Sequence, residues 1–358
     1  MRFLWLTSQS PYMNLATEEY LLKNSEEDIF MLWQNDDSVI IGRYQNALAE
    51  IDTDFVKQHH ITVARRLTGG GAVFHDLGNL NFTFIQNIQS HEKEINFLRY
   101  LQPIVDALCS LGVPASFSGR NDIVIDGKKI SGNAMTFYGN RALEHGTLLF
   151  STLQSKLAGA LKADPMKFSD KAVKSVRSRV TNISEHLPQP MDVLSFKDYL
   201  MRFVMQPHGI SEPDCLTPAE EAAIRELERT KFSTWEWNYG KSPQYAFSKK
   251  TKTNGGIIQA MMDVQNGHIR SVRFFGDFFS TKDPDELADL LIGQPHERAA
   301  IANLLDTVAV GDYLNNVTAA ELLDLLTEEQ EKGGTLLHSA LEVSSRFELE
   351  STVLQTGT

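Results

Sequence analysis

The sequence contains few of the residues that build disulfide-bonded or metal-stabilised proteins. Only two of its 358 residues are cysteines, Cys109 and Cys215, and their positions match neither a CxxC motif nor a zinc-binding spacing. We therefore expect neither a disulfide framework nor a structural metal. This cysteine usage fits a reducing cytoplasm.

Long apolar runs are also missing. No segment offers the ~18 uninterrupted apolar residues that a membrane-spanning helix needs. The start of the chain, MRFLWLTSQSP, has too few apolar residues for the core of a signal peptide. We therefore expect a cytoplasmic protein with no membrane partner.

Basic residues are outnumbered, with 34 lysines and arginines against 46 aspartates and glutamates and a formal net charge of -12. Binding to nucleic acid by counterion release needs a basic surface, so we expect no nucleic-acid partner. The hydrophobic content of 42% is that of an ordinary globular protein. The length allows two domains.

The most informative stretch that is present runs from Arg65 to Phe84, RRLTGGGAVFHDLGNLNFTF. Three consecutive glycines let the backbone approach a ligand and turn its N–H groups toward phosphate or carboxylate oxygens. Arg65 and Arg66 would present forked donors beside that loop. The alternative is a glycine-rich hairpin that carries two solvated arginines.

In the first part of the chain, the patterns predict a strand at 3–6 and a helix over 14–23 with Asn14 as its N-cap. Two apolar runs, 29–33 and 38–42, are separated by a turn-rich spacer and predict a hairpin. Asp52 is expected to cap a short helix. Further elements are predicted as strands at 61–67, 72–75 and 80–85 and as a helix over 94–111 that ends at Gly112.

Strands dominate the next part, at 115–118, 122–125, 129–136 and 141–150, and Asp126-Gly127 is a strong two-residue hairpin signal. Strands that outnumber helices and meet in tight hairpins predict an α+β fold, mainly an antiparallel sheet with packed helices. After Phe150 the chain becomes polar and basic, which is typical of a loop with short helices. Helical patterns resume near 195–205 and 217–230.

The segment 239–254, rich in lysine with glycines following, is predicted to be the linker between two domains. We place a catalytic domain at 1–247 and a small α+β domain at 248–358. The second domain is predicted to contain a strand hairpin over Asn266-Gly267 and helices near 284–292, 296–305, 318–327 and 328–342.

Four further patches accompany the glycine loop: GRND at 119–122, KKISGNA at 128–134, EHGTLL at 144–149 and SVRSRVTN at 175–182. Taken in this order with RRLTGGGAVFHD, NLATEEYLL, VIIGRYQNA and WEWNYG, they resemble the lipoate-protein ligase A family. The resemblance covers most of the chain, and the tail after residue 250 looks like the small C-terminal domain of that family. It implies a catalytic fold related to biotin-protein ligases.

The resemblance implies a two-step reaction. Lipoate and ATP form lipoyl-AMP and pyrophosphate, and the lysine of a lipoyl domain then attacks the acyl group and releases AMP. The first step joins two anions, so positive groups must offset their repulsion. ATP and Mg²⁺ are expected as co-substrates, without a tightly bound cofactor. The implied partners are unmodified lipoyl domains of 2-oxoacid dehydrogenase complexes and the glycine cleavage H protein.

Lys129 matches the lysine of the KxSG motif and is the predicted catalytic residue, while Lys128 is predicted to be solvated. Arg66 is predicted to hold nucleotide or lipoyl carboxyl oxygens. By the same resemblance, the remaining ATP or lipoate contacts are assigned to Thr68, Gly69, Gly70, Gly71, Ala72, Val73, Phe74, His75, Arg120, Asn121, Ser131, Gly132, His145, Gly146, Thr147, Arg177 and Arg179.

Some of these assignments have a structural alternative. His75 and His145 either contact the ligand or are packing residues near strand ends. Asp122 either helps to hold magnesium or caps its own turn. Arg177 and Arg179 either fold over the adenylate or belong to a solvated basic loop.

Two other functions compete with the ligase. An ATP-independent lipoyl or octanoyl transferase of the same superfamily passes the acyl group through a cysteine, but Cys109 and Cys215 are both far from the motifs in sequence. A transferase that accepts lipoyl-AMP made elsewhere needs no cysteine and stays open. A non-enzymatic protein that binds lipoyl domains would be expected to have lost Lys129 or the three glycines.

Overall fold

The computed structural model of the chain describes residues 1–89, 93–119, 121–161, 180–239, 247–265 and 267–327. Seven of the described strands form one sheet: β1 (Arg2–Trp5), β2 (Ile29–Trp33), β6 (Asn79–Asn87), β7 (Ala115–Ser118), β8 (Asp122–Ile125), β9 (Lys128–Tyr138) and β10 (Arg141–Leu149). Their order is β1-β2-β6-β10-β9-β8-β7, and only β1 and β2 are parallel neighbours among these strands. The predicted α+β class with a mainly antiparallel sheet is confirmed.

Two smaller sheets complete the described strands. One contains β3 (Ser38–Ile41), β4 (Thr62–Arg65) and β5 (Val73–His75) in the order β4-β3-β5, and the glycine loop connects β4 to β5. The other is the antiparallel sheet of β11 (Phe247–Thr253), β12 (Gly256–Gln265) and β13 (His268–Gly276).

The helices of the described residues cover both faces of the large sheet and pack on the C-terminal sheet. They are α1 (Pro11–Asn24), α2 (Ala47–Glu50), α3 (Thr53–Gln58), α4 (Leu98–Ser110), α5 (Gln154–Ala160), α6 (Val193–Met205), α7 (Pro218–Leu227), α8 (Trp235–Asn238), α9 (Pro284–Leu291), α10 (Arg298–Leu305), α11 (Val310–Tyr313) and α12 (Ala319–Thr327). None of them is long and apolar enough to cross a membrane.

Two hydrophobic cores fix the large sheet between its helices. On one face, α1 and α7 contribute Leu15 and Ile224 to a core with Leu143 of β10. On the other face, α4 and α6 pack Ile104 and Phe196 against the sheet. The side chains of β10 alternate between these faces, as a strand requires. Residues of the first face therefore point toward α1, and the candidate site lies there.

The expected hairpin between residues 29–33 and 38–42 is wrong. β2 pairs with β1 and β6 in the large sheet, whereas β3 pairs with β4 and β5 in the small one. Every residue of both strands is buried, so each strand takes partners on both edges. The spacer carries the chain from one sheet to the other, and its Asn35 is fully buried.

The predicted N-cap of α1 is also wrong. Ser10 caps the helix, its Oγ accepting from the backbone N–H of Met13 at 3.2 Å, and Pro11 occupies the first turn. A serine before a proline is itself a helix-start signal. Asn14 lies inside the helix, where it is fully buried and hydrogen-bonded to the chain around β2.

Other expectations hold. Asp52 caps α3 through the backbone N–H of Phe55 at 2.9 Å. Asp126 and Gly127, with φ of 49° and 75°, form the turn between β8 and β9. The helix that was expected over 94–111 begins later, at Leu98, but ends as predicted, with Gly112 at φ 80°.

The predicted linker over 239–254 is corrected in its second half, because residues 247–253 form β11. The lysines belong to β11, an edge strand of the C-terminal sheet, where charged side chains are common. A lysine-rich edge strand has a composition similar to that of a linker, which explains the wrong prediction. Residues 240–246 and the helix predicted over 328–342 lie outside the described residues. The division at 247/248 stays a prediction.

Candidate active site

One cleft lies at the sheet face that α1 covers, beside the glycine loop. Its enclosed volume is about 120 Å³, and the cleft is open to solvent at its mouth. Trp33 of β2 lies opposite Asn81 of β6, which lies opposite Thr147 of β10. The residues that line it are Leu15, Trp33, Ile40, Arg66, Gly70, Gly71, Ala72, Val73, His75, Asn81, Asn121, Lys129, Gly132, Asn133, Ala134, His145, Gly146 and Thr147.

The structure brings most of the predicted site residues to this cleft. They come from the glycine loop, from β5, and from the adjacent strands β9 and β10. Thr68, Gly69, Phe74 and Ser131 do not line it but lie in the same segments. Arg120, Arg177 and Arg179 lie outside the described residues, so the structure does not test them.

Arg65 is not an anion donor beside the loop, and this expectation is corrected. The residue is fully buried, and its guanidinium donates to five backbone carbonyls. The accepting residues are Gly42, Arg43, Gln45, Trp237 and Asn238. Burial, and secondarily the charge of Arg43, lower its pKa to about 10. Arg65 therefore ties three segments of the chain together.

Arg66 organises the glycine loop. Its Nη2 donates to the carbonyls of Gly69 at 2.6 Å and Gly71 at 2.9 Å. Its Nε donates to Thr68 and its Nη1 to the carbonyl of Ile40. A guanidinium has five N–H groups, and these four contacts leave one hydrogen on Nη1. Burial lowers the pKa of Arg66 to about 10, and Glu18 counteracts this shift.

The glycine loop also contacts the segment that follows β13. The N–H of Gly70 donates to the carbonyl of Phe278 at 3.1 Å. A Cβ at Gly69 would lie 2.2 Å from that same carbonyl oxygen, so only glycine permits this approach. Gly70 itself has φ +89°. The loop conformation is thus set by Arg66 on one side and by Phe278 on the other.

Lys129 is a partly exposed cationic residue of the cleft. Its Nζ lies 2.8 Å from Oδ1 of Asp122, and the two side chains are 38% and 34% exposed. A Cβ at Gly132 would lie 2.8 Å from this ammonium, so the glycine leaves room for it. Asp122 therefore has a partner other than its own turn. Within the described residues, no group of three or more possible metal ligands includes it.

A buried hydrogen-bond chain links Thr68 of the glycine loop to Trp33 of β2. His145 Nε2 lies 2.8 Å from Thr68 Oγ1, and its Nδ1 lies 2.8 Å from Glu18 Oε1. Glu18 also accepts from Thr83, which accepts from the indole N–H of Trp33. His145 is therefore both a cleft residue and part of a buried network that continues to Arg66 through Thr68.

His75 is buried in the cleft wall. Its Nδ1 lies 3.0 Å from Asn35 Nδ2. Burial lowers its pKa to about 3, and the charge of Arg66 and the electrostatic influence of His145 add to this shift. The imidazole is therefore neutral at any working pH. A neutral ring provides one donor and one acceptor nitrogen.

Sequence reasoning missed several lining residues: Leu15, Trp33, Ile40, Asn81, Asn133 and Ala134. Asn81, Asn133 and Ala134 belong to patches that were singled out, GNLNFTF and KKISGNA, so their motifs were a usable signal. Leu15, Trp33 and Ile40 look like ordinary core residues in the sequence. Only the pairing of β2 and β3 and the packing of α1 on the sheet reveal that they face an open cleft.

The cleft joins three kinds of surface. Leu15, Trp33 and Ile40 provide an apolar wall, the glycine loop provides backbone groups, and Lys129 provides a positive charge that is paired with Asp122. This arrangement suits a ligand with an apolar tail and an anionic head. The two cysteines, Cys109 and Cys215, are exposed and line no part of it.

Most of the chain is similar to known proteins. Residues 10–204 match the model of the lipoyl protein ligase A/B catalytic domain, and residues 242–326 match that of the bacterial lipoate protein ligase C-terminus. The lipoate-protein ligase LplJ of Bacillus subtilis is 40% identical over 320 residues, which cover 88% of this chain and 96% of the relative.

Three solved structures are similar. LipL1 of P. falciparum, in complex with lipoate, has a TM-score of 0.73 at 25% identity and covers 90% of this chain and 97% of its own. A lipoate-protein ligase A bound with ATP has a TM-score of 0.57 at 30% identity. It covers 67% of this chain and 98% of its own. A bipartite ligase from Thermoplasma acidophilum, analysed with its E2 lipoyl domain, has a TM-score of 0.61 at 34% identity. It covers 69% of this chain and 98% of its own.

Proposed function

Because this chain belongs to the lipoate-protein ligase family, we infer that it is an ATP-dependent lipoate-protein ligase. In the first step, a lipoate carboxylate oxygen attacks the α-phosphorus of ATP, and the bond to pyrophosphate breaks. In the second step, the amine of an acceptor lysine attacks the acyl carbon. An amide bond forms as the nitrogen loses a proton to water, the bond to the phosphate breaks, and AMP leaves with the electron pair.

The observation that carries the role of the site is the ion pair between Lys129 and Asp122 at 2.8 Å. We propose that the ammonium leaves Asp122 for the carboxylate of lipoate and the α-phosphate of ATP. A positive group placed beforehand offsets the repulsion between these anions and stabilises the charge that develops during attack. Its partial exposure lets the side chain change partner without opening the core.

We propose that the cleft holds both the acyl and the nucleotide part of lipoyl-AMP. We propose that the acyl tail lies along Leu15, Trp33 and Ile40, which all line the cleft with apolar surface. We propose that the nucleotide lies along the backbone of residues 71–74, where Arg66 fixes the loop and keeps one hydrogen of Nη1 for an oxygen. The predicted contacts of Arg120, Arg177 and Arg179 stay sequence predictions.

We propose that magnesium binds together with ATP as a co-substrate. A hard cation with octahedral coordination takes oxygen ligands and usually keeps water and substrate phosphates among them. Asp122 fits as a single carboxylate contribution once Lys129, whose Nζ lies 2.8 Å from its Oδ1, moves to the substrate anions. No described group of three or more candidate ligands forms a protein cage there, so the remaining ligands would come from phosphates and water.

The competing functions receive less support. An acyl-cysteine transferase needs a thiol beside the acyl carbon, and the exposed Cys109 and Cys215 lie elsewhere. A binding protein without enzymatic activity has no need of a lysine that is paired with an aspartate in the cleft. A transferase that uses lipoyl-AMP made elsewhere shares the same site, and only the first half-reaction separates it from the ligase.

The acceptor is a lipoyl-domain protein. We propose the lipoyl domains of 2-oxoacid dehydrogenase complexes and the glycine cleavage H protein as the specific acceptors, supported by the sequence motifs of the family and by the similar ligase that was analysed with an E2 lipoyl domain. We also propose a cytoplasmic location, because the reaction consumes ATP, and cell fractionation tests it.

The experiment that tests the function uses the full chain with lipoate, magnesium ATP and an unmodified lipoyl domain. Pyrophosphate release followed by a lipoyl-sized mass increase of the acceptor is the expected result. Mass increase with synthetic lipoyl-AMP but not with ATP and lipoate would instead identify the adenylate-dependent transferase. The acceptor with its target lysine replaced is the matched control.

A further inference from the structure

A second cavity lies between α1, the end of β9, α8 and the segment after β13. Its volume is about 370 Å³, and it shares no lining residue with the cleft. We call it the basic groove, because four cations and two carboxylates line it: Lys23, Arg43, Lys231 and Lys282, with Glu19 and Asp283. Two of these cations have an aspartate each, in the ion pairs Arg43–Asp283 and Lys282–Asp312. The charge balance of the groove therefore depends on Glu19.

Glu19 is a buried carboxylate that two lysines share. Its side chain is 4% exposed, and its Oε1 and Oε2 each lie 2.6 Å from one ammonium, those of Lys23 and Lys231. Burial raises the pKa of Glu19, but the hydrogen bonds and charges of the two lysines outweigh burial and lower it overall. Glu19 is therefore ionised. These pairs leave one positive charge of the groove unbalanced in the part of the chain that the structure describes.

Lys231 experiences this excess charge directly. Burial lowers its pKa, Glu19 counteracts that shift, and the charges of Lys23 and Arg43 lower the pKa further. The three cations are thus close enough to repel one another. An ammonium has three N–H groups, and among the described residues Lys231 has Glu19 as its hydrogen-bond acceptor. Two N–H groups of this partly exposed side chain are therefore available to a ligand in the groove.

Trp237 of α8 holds two of the cations beside each other. The Nζ of Lys231 lies 4.0 Å from the centroid of the indole ring, and the guanidinium carbon of Arg43 lies 5.9 Å from it. A ring face attracts cations without neutralising them. Arg43 also donates from Nη2 to Asp283 at 2.9 Å, which keeps its guanidinium in place. This preorganisation lowers the cost of binding an anion.

We propose that the basic groove binds a small phosphate oxyanion, either inorganic or part of a nucleotide, between Lys23, Lys231 and Arg43. A phosphate group carries several acceptor oxygens on one atom, and lysine and arginine side chains are its usual partners. Its negative charge balances the excess and removes the repulsion among the cations. The volume of about 370 Å³ suits a small molecule. The site is separate from the cleft and does not depend on the proposed ligase reaction.

Calorimetric titration of the full chain with sodium phosphate, pyrophosphate and AMP tests the site. Lipoate is left out, and the ionic strength is held constant because salt screens exposed charges. Lys23→Gln and Lys231→Gln each remove one charge and keep an N–H donor. We expect each variant to weaken binding by roughly tenfold to a hundredfold, the effect of one charged hydrogen bond. Lys57→Gln is the matched control, because Lys57 is an exposed lysine of α3 outside the groove.

Lys129→Gln distinguishes the two anion sites, because it changes the ammonium of the cleft and leaves the groove intact. Binding to the groove should persist in this variant. Binding of phosphate and pyrophosphate without AMP would identify an inorganic ligand, and binding of AMP alone would identify a nucleotide. Binding of all three would show that the phosphate group itself is recognised.

Equal affinity in the wild type, Lys23→Gln and Lys231→Gln would overturn the proposal, as would the absence of binding by all three anions. Loss of binding in Lys129→Gln alone would place the anion in the cleft. Should Lys231→Gln unfold, as circular dichroism reports, Lys23→Gln still decides, because its side chain is the more exposed of the two. Binding of an unmodified lipoyl domain that both groove variants weaken, without binding of any small anion, would make the groove a protein-docking surface and overturn the proposal too.

Discussion

The ammonium of Lys129 lies 2.8 Å from Oδ1 of Asp122 while both side chains stay about one-third exposed. The pair stabilises the protein little, since exposed ion pairs contribute only about 0–1 kcal/mol. Its consequence is geometric. In the proposed mechanism, Asp122 holds the ammonium beside the cleft until the anions of lipoate and ATP replace the carboxylate.

Lys129→Ala is therefore expected to reduce adenylate formation without unfolding the protein. Removing one preorganised charged group typically lowers the rate by ~10²–10³. Pyrophosphate release in the presence of lipoate, ATP and magnesium measures the effect, and circular dichroism checks the fold. Lys128→Ala is the matched control, because Lys128 is the exposed neighbour at the start of β9. Release at the wild-type rate from Lys129→Ala would remove the lysine from the mechanism.

Octanoate is expected to be a poorer but working substrate. It shares the carboxylate and the straight chain of lipoate and lacks the ring. An apolar pocket discriminates by only ~1–3 kcal/mol per methylene-sized group, which corresponds to roughly 10–200-fold in kcat/KM. Steady-state kinetics of pyrophosphate release with both acids gives this ratio. Complete rejection of octanoate would show that the cleft recognises the dithiolane ring by more than apolar contact.

Arg66→Lys is expected to loosen the glycine loop. A lysine cannot bond the carbonyls of Gly69 and Gly71 in the fork that Arg66 provides, so each carbonyl loses a fixed partner. The cost of unsatisfied buried groups is about 1–3 kcal/mol each. We expect a lower melting temperature together with a raised KM for ATP. A raised KM at unchanged thermal stability would mean that Arg66 binds nucleotide and does not support the loop.

Arg65 and Arg66 are neighbours in one motif, but the sequence alone does not predict which of them faces the cleft. The motif predicts that both arginines face the glycine loop, but only Arg66 lines the cleft. Whether an arginine faces a ligand or carbonyls of its own chain depends on segments far away in sequence, such as Trp237 and Asn238, which accept from Arg65. Long-range hydrogen bonds of this kind leave no local pattern.

Some strand connections can also be predicted from local sequence, and others cannot. The turn at Asp126-Gly127 was predictable, because both residues need positive φ and the local sequence provides it. The false hairpin over 34–37 has comparable turn residues, yet β2 and β3 enter different sheets. Two apolar runs that are buried on both faces give no indication of their partners. Position 33 becomes a cleft residue only through that pairing.

Gly69→Ala is expected to separate the glycine loop from the segment after β13. The new Cβ would lie 2.2 Å from the carbonyl oxygen of Phe278, a backbone atom that cannot rotate away. Amide exchange should increase at residues 276–280, and activity should fall with it. Gly311→Ala is the control, because a Cβ there meets nothing within 4 Å. Equal exchange in both variants would contradict the close approach.

Glu144 of β10 makes the stability of this protein sensitive to pH. Its side chain is fully buried, and neither carboxyl oxygen has a partner in the described residues. Burial first, and the charge of Glu18 second, raise its pKa well above the usual 4.5. Above that usual value the unfolded chain releases the proton while the folded chain keeps it, so the free energy of unfolding falls as the pH rises.

Glu144→Gln should remove this dependence, since the amide is neutral in both states. The variant should unfold at a higher urea concentration than the wild type at pH 8, and the difference should shrink toward pH 5. Linkage sets the slope at no more than about 1.4 kcal/mol per pH unit for one group. Urea titrations at pH 5, 6, 7 and 8 measure it, with Glu26→Gln at an exposed position as the control. A difference that stays constant over this range would mean that Glu144 is ionised in the folded protein.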